Sequence, residues 1–178
     1  AFGLPDEGLD PVDLVVGPGS AWVTAAKIEL VGEVGIDLPA GPSEGLVLAD
    51  RTADVATVAA DLITQAEHGP DSPALLVTPD EALADAVEAE VRRRLAGAHR
   101  RDILARALAD HGRIVLVADL DAGIEFVNGY GPEDLSVEVA DLEAAVARIR
   151  NAGSIFVGRW SPECATTQSS FSSPRDMS

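Results

Sequence analysis

The segment Gln65-Ala66-Glu67-His68-Gly69-Pro70-Asp71-Ser72 holds the residues whose types and spacing bear most directly on chemistry. Gln65 follows Val58 by seven residues and Leu62 by three, so it continues an apolar helical stripe and is expected to point inward. His68, three residues further on, is expected over the same face. A buried amide and imidazole need partners, either backbone carbonyls or a metal ion and a polar ligand. Spacing leaves both open, because one Gln and one His are at most half of the donors a transition-metal site takes. Tyr130-Gly131-Pro132-Glu133-Asp134 sets two adjacent carboxylates on a turn ahead of a strand. Neighbours on extended backbone point to opposite sides, so at most one faces a given pocket. Glu133 would act as general acid or base if desolvation raised its pKa; a solvated turn is the plainer account.

Other candidates carry less. Gly17-Pro18-Gly19-Ser20 lies between a strand and a helix, where small residues let backbone amides approach an anion. The third glycine of a dinucleotide fingerprint is missing, and many plain turns need a glycine pair. Ser43 and Glu44 have no histidine at a triad spacing, and His99 and His111 read as surface residues or a helix C-terminal charge.

The elements that must position these groups alternate along the chain. Val12 to Val16, Leu46 to Ala49, Ala74 to Val77, Ile114 to Val117, Leu135 to Val139 and Ile155 to Val157 read as strands. A helix after Thr52 carries Val55, Val58, Ala59, Leu62, Ile63 and Ala66 on one face. Thr78-Pro79-Asp80-Glu81 predicts a capping box with Thr78 as N-cap and Pro79 at the first helical position. That helix is expected to end by Gly97, and a further helix to stop near Gly112. Two more are expected after Asp119 and after Asp141, the last ending at Gly153. Alternation of this kind implies an α/β fold with largely parallel strands flanked by helices, and directs the search for ligands to the carboxyl ends of the strands. The Pro-Gly-rich stretch Asp37 to Glu44 reads as a hinge between two sheets, and the serine-rich stretch from Ser161 as disordered or foreign to the fold.

Composition narrows the class. The chain has 178 residues, 47% of them hydrophobic, which is enough to bury a core. The formal charge of -17, spread between apolar runs, predicts a solvated acidic surface that repels phosphate backbones and argues against nucleic-acid binding. No run approaches the roughly eighteen apolar residues of a membrane span. The single cysteine, Cys164, and the lack of a recognisable leader fit a reducing cytoplasm.

Taken together the motifs resemble the histidinol dehydrogenase family, which oxidises L-histidinol to L-histidine through histidinal in two NAD-dependent steps. The resemblance rests on Val12-Asp13 with Gly17-Pro18-Gly19 and Ala25-Ala26-Lys27, then Asp37 to Glu44, Gln65 to Asp71, Asn128 to Glu133, Ala152-Gly153-Ser154 and Trp160-Ser161-Pro162-Glu163, in the family's order. It implies Gln65 and His68 as zinc ligands that also adjoin substrate, Ser43 as a substrate contact, and Glu133 as the acid/base group. It further implies NAD and zinc as cofactors and a homodimer. The implied architecture is two incomplete Rossmann-like domains, residues 1–42 belonging to one and 43–160 to the other, with 161–178 a tail outside the family pattern.

Departures from the pattern shape the functional expectation. Asp134 stands where the family has histidine, and an unperturbed aspartate is a weaker base by about 2.6 pKa units. Ser20 stands where the family has a cofactor-contacting asparagine. After Ser161-Pro162-Glu163 the chain reads Cys164-Ala165-Thr166-Thr167, so the family's later aspartate and histidine zinc ligands are not matched. The expectation is an internal fragment of a histidinol dehydrogenase whose reading frame is lost near Cys164, inactive as it stands. The rival is a noncatalytic remnant or small-ligand-binding module that keeps only the fold, and a third reading is a relative acting on another amino alcohol or diol.

Overall fold

A computed structural model describes residues 12–17, 21–37 and 43–158. The chain divides into two compact units, one up to Pro42 and one from Ser43 onward. In the first, β1 (Leu14–Val15) pairs in parallel with β2 (Gly35–Ile36), and α1 (Ala21–Glu29) connects them. Lys27 is buried here and binds Asp37 Oδ1 at 2.5 Å, while its ammonium also donates to the Gly17 carbonyl. Asp37 in turn accepts the Gly17 amide at 2.7 Å, so the glycine turn is tied to the end of β2. β2 is too short to show a period in sequence, and the expected strand at Val12 to Val16 is two residues long.

The second unit runs β3 (Gly45–Ala49), α2 (Val55–Glu67), β4 (Ala74–Thr78), α3 (Glu81–Leu95), α4 (Arg101–His111), β5 (Gly112–Leu116), α5 (Leu120–Tyr130), β6 (Asp134–Glu138), α6 (Leu142–Val146) and β7 (Ser154–Val157). All its paired strands are parallel, in the order β5-β4-β3-β6-β7. This is the strand order of a Rossmann-like sheet, with the order reversing between β3 and β6. Helices bury both faces. Val47, Leu76, Val58, Val87 and Leu104 fill one side; Leu48, Val77, Ile124, Val127 and Val137 fill the other. Burial from two sides explains why β3 and β4 are continuous apolar runs.

β6 departs from that rule. Its apolar Leu135 and Val137 alternate with Asp134, Ser136 and Glu138, and Ser136 and Glu138 are nevertheless buried. Ser136 Oγ donates to Asp61 Oδ2 at 3.0 Å, and Asp61 is a fully buried carboxylate of α2. A polar seam therefore runs between α2 and β6.

Three local expectations need correction. Thr78 ends β4, and Asp80 caps α3 instead, accepting the Leu83 amide at 2.7 Å. Glu81 then occupies the first helical position and cannot reach back; Thr78 Oγ1 accepts the Asp80 amide at 3.1 Å. α6 ends at Val146, well before Gly153, and the 148–151 segment bonds to Asn128 of α5. Loss of the Ser136 hydroxyl removes a donor from a buried carboxylate, so Ser136→Ala is expected to lower unfolding free energy by about 1–3 kcal/mol, measured by urea denaturation.

Candidate active site

The site residues gather at the amino edge of the five-stranded sheet. Each crossover helix starts above the carboxyl end of one strand and returns to the amino end of the next, so the last turn of α2 brings Gln65 and His68 back to this edge. Gly45 opens β3 and pairs with Asp134, which opens β6 and pairs with Ser154 of β7. Ser43 and Glu44 lead into β3, and Glu133 leads into β6. The expectation that chemistry lies beyond the carboxyl ends is thus reversed for these residues.

At the carboxyl edge the polar groups are satisfied internally. Asp54, Asp80, Asp119 and Asp141 cap the N-termini of α2, α3, α5 and α6. At the point where strand order reverses, Asp50 accepts the Ala140 amide at 2.9 Å and the Thr52 amide at 2.8 Å. Burial works against charge on Asp50, but these donors with the Thr52 hydroxyl and Arg51 together hold its carboxyl below the usual range. Carboxylates occupy the positions where an anionic ligand would meet helix amides.

Gln65 is 1% exposed, and neither its amide nitrogen nor its amide oxygen has a hydrogen-bond partner. It fits because residue 45 is glycine: a Cβ there would lie 2.8 Å from Gln65 Cγ and 3.1 Å from Oε1. The inward position expected for Gln65 is observed. His68 differs from expectation. It is exposed at the C-cap of α2, where the helix ends, and its Nδ1 lies 3.3 Å from the Gln65 carbonyl oxygen. Because the helix stops, the stripe that buries Gln65 does not extend to the next turn.

Glu133 is exposed, and its Oε2 accepts the Glu44 amide at 3.4 Å. Asp134 is the more enclosed of the pair. Burial pushes its carboxyl above the usual 3.8; a Ser154 hydrogen bond opposes this, the Glu133 charge adds to it, and the charge of His68 again opposes it. His68, Glu133 and Asp134 thus share one electrostatic neighbourhood. Ser43 joins it through the chain, next to Glu44. Ser20, Cys164 and the tail at 161–178 lie outside the described residues, as does the 38–42 part of the hinge.

Residues that belong to the quoted motifs but had no role assigned to them complete the frame. Gly153 sits against Glu133, since a Cβ on it would be 2.6 Å from the Glu133 carbonyl oxygen. Its amide donates to Pro132, and that of Ser154 to Glu133 at 2.7 Å. Asn128 accepts the Arg150 amide at 2.6 Å and donates to the Arg148 carbonyl, joining the end of α5 to the approach to β7. Gly131, at φ +67, ends α5 in a left-handed conformation that costs glycine little and turns the chain toward Glu133.

The two sheet edges and this cluster define a Rossmann-like α/β protein with a polar cluster of amide, imidazole, carboxylates and hydroxyl at the amino edge. The histidinol dehydrogenase family model matches residues 1–170. The chain is 52% identical over 153 residues to histidinol dehydrogenase of Thermobifida fusca, covering 85% of this chain and 35% of that protein. It is 48% identical over 163 residues to histidinol dehydrogenase of Rhizobium meliloti, covering 92% and 38%. The crystal structure of histidinol dehydrogenase from Elizabethkingia anophelis superposes with a TM-score of 0.83 at 39% identity, over 92% of this chain and 38% of that one. The chain belongs to the histidinol dehydrogenase family and spans little more than a third of the length of these relatives. Among the described residues no helix is long and apolar enough to cross a membrane.

Two predictions follow from this geometry. Gly153→Ala forces a methyl group against the Glu133 backbone and is expected to cost about 1–3 kcal/mol in urea denaturation. Because the folded Asp134 binds its proton more tightly than the unfolded chain does, it destabilises the fold as pH rises from the ordinary aspartate range through its folded value. Asp134→Asn should therefore melt higher than the parent at neutral pH, with the difference vanishing at pH values below the usual carboxylate range.

Proposed function

We propose that this chain carries the substrate-holding part of a histidinol dehydrogenase site, in histidine biosynthesis. The observation that carries the reading is Gln65. An unsatisfied buried amide costs about 1–3 kcal/mol, so its retention is accounted for by a ligand that supplies the missing partner. Zinc is the family's metal, and the Gln65 oxygen with a His68 nitrogen suits two of its donor positions. The described residues contain no group of three His, Cys, Asp or Glu that would hold a metal, so the pair does not make up a full shell.

The reaction removes four electrons: two hydrides pass from the carbinol carbon to two NAD, water adds at the aldehyde level, and three protons are released on forming the carboxylate. NAD, when bound, supplies the hydride acceptor. Among the described residues Ser43 would contact the amino alcohol, Gln65 and His68 would orient its polar end, and Glu133 would take the proton from attacking water. Exposure of Glu133 leaves its carboxylate open to the attacking water. Asp134 replaces the imidazole that the family resemblance leads one to expect for the alcohol proton. Its raised pKa narrows the gap in basicity.

The isolated chain is therefore expected to bind L-histidinol, to hold zinc only weakly through its two donors, and to form no NADH. Calorimetric titration of zinc and L-histidinol, beside a steady-state NADH assay, tests this. Gln65→Met should raise the unfolding free energy without ligand by about 1 kcal/mol and weaken zinc binding about tenfold or more. Equal zinc affinity in parent and variant overturns the ligand role. Steady NADH formation overturns the expectation of inactivity.

A further inference from the structure

We propose that Glu44 is a positioning residue for this site and that Tyr130 acts through it, holding the Ser43–Glu44 turn in place beside Glu133 and Asp134. The proposal rests on the dehydrogenase reading for its functional meaning, but the contacts themselves do not. Glu44 makes three links to two other segments. Its carboxylate Oε2 accepts the Tyr130 hydroxyl at 3.0 Å, its amide donates to Glu133 Oε2 at 3.4 Å, and its carbonyl accepts the Asp134 amide at 3.1 Å. One residue thus fixes the turn that carries Ser43 against both members of the acidic pair.

Both contacts are made by Glu44 at once: its carboxylate is held by the neutral phenol of Tyr130 while its backbone amide faces the Glu133 carboxylate. Tyr130 is held for this task by Phe126, one helical turn earlier, with ring centroids 6.1 Å apart and planes 9° from parallel. The left-handed Gly131 ends α5 immediately after it. Burial, then the hydrogen bond to Glu44 and its charge, push the phenol from 10.0 up to about 12. Tyr130 therefore keeps its proton throughout the neutral range and acts as a donor, not as an acid or base.

Tyr130 is the one tyrosine of the chain, so the ultraviolet absorbance of phenolate reports it alone. Alkaline titration of the native chain should give a midpoint near 12, and Glu44→Gln should lower it by about one unit or more by removing the charge while keeping an acceptor. An unchanged midpoint in Glu44→Gln overturns the link. The amide resonance of Glu44, followed by nuclear magnetic resonance, should shift as carboxylates ionise in acid, and lose that response in Glu133→Gln. Tyr130→Phe, which keeps the stacked ring, should reduce the response by about half or more; a native-sized response overturns the positioning role. A merely structural tyrosine would change the melting temperature without altering how the Glu44 amide senses Glu133. L-Histidinol titrated into the same native sample keeps the two readings apart. Absence of binding there removes the dehydrogenase reading and leaves the clasp standing, whereas a native-sized amide response in Tyr130→Phe removes the clasp whatever the substrate result.

Discussion

The pairing of β3 with β6 governs the arrangement of the second unit. Gly45 faces Asp134, and the register runs in step to Ala49 opposite Glu138. These strands are separated in sequence by three crossovers and four helices, yet in the sheet they are neighbours, and the strand order reverses between them. Whatever lies just before each strand is therefore brought together at one edge. Ser43 and Glu44 come from one side, Glu133 from the other, and the end of α2 returns to the same place. A slip of one residue in this register would turn Asp134, Ser136 and Glu138 toward the opposite helix layer and bury Leu135 and Val137 against α2.

The polar seam between α2 and β6 makes such a slip costly. Parallel sheets covered on both faces usually bury apolar residues throughout. Here Ser136 and Asp61 are buried and bonded to each other, so only one alignment of helix and strand satisfies both. Asp61 and Gln65 are four residues apart on α2, on one face of the helix. Alignment of the first therefore places the second. The seam trades stability for specificity, and Gln65, with neither amide atom hydrogen-bonded, adds to that cost one turn further along the same face.

The charged edges divide the work in a manner unlike most open α/β sheets. Helix N-termini at the carboxyl edge are closed by aspartates, and Asp50 joins β3 to the loop after β6 where a dinucleotide fold would leave a crevice. The candidate chemistry sits at the opposite edge, where glycines at 45 and 153 allow side chain and backbone to approach more closely than any Cβ would permit. Fold class therefore did not indicate where the site would be, as expected when function resides in groups placed on a widely used scaffold.

Periodicity in the sequence was sufficient for α2, α5 and the strands of the second unit, because long apolar stripes and runs between turn residues are local signals. Motif order was sufficient for the family, and it marks Gln65, His68, Ser43 and Glu133 as candidates. Thr78 and Asp80 both have N-cap chemistry, and strand pairing with β5 draws Thr78 into the sheet, which leaves the cap of α3 to Asp80. His68 was expected inward because the stripe alone does not reveal where a helix stops. The sequence by itself determined the element types, the acidic character and the chemical identity of the site residues. Tertiary structure alone decided the edge at which they meet, the burial of Gln65 over Gly45, and the link from Tyr130 through Glu44 to Glu133. The reason is physical: these are contacts between segments up to about ninety residues apart, set by strand register and helix return, and no local propensity encodes them.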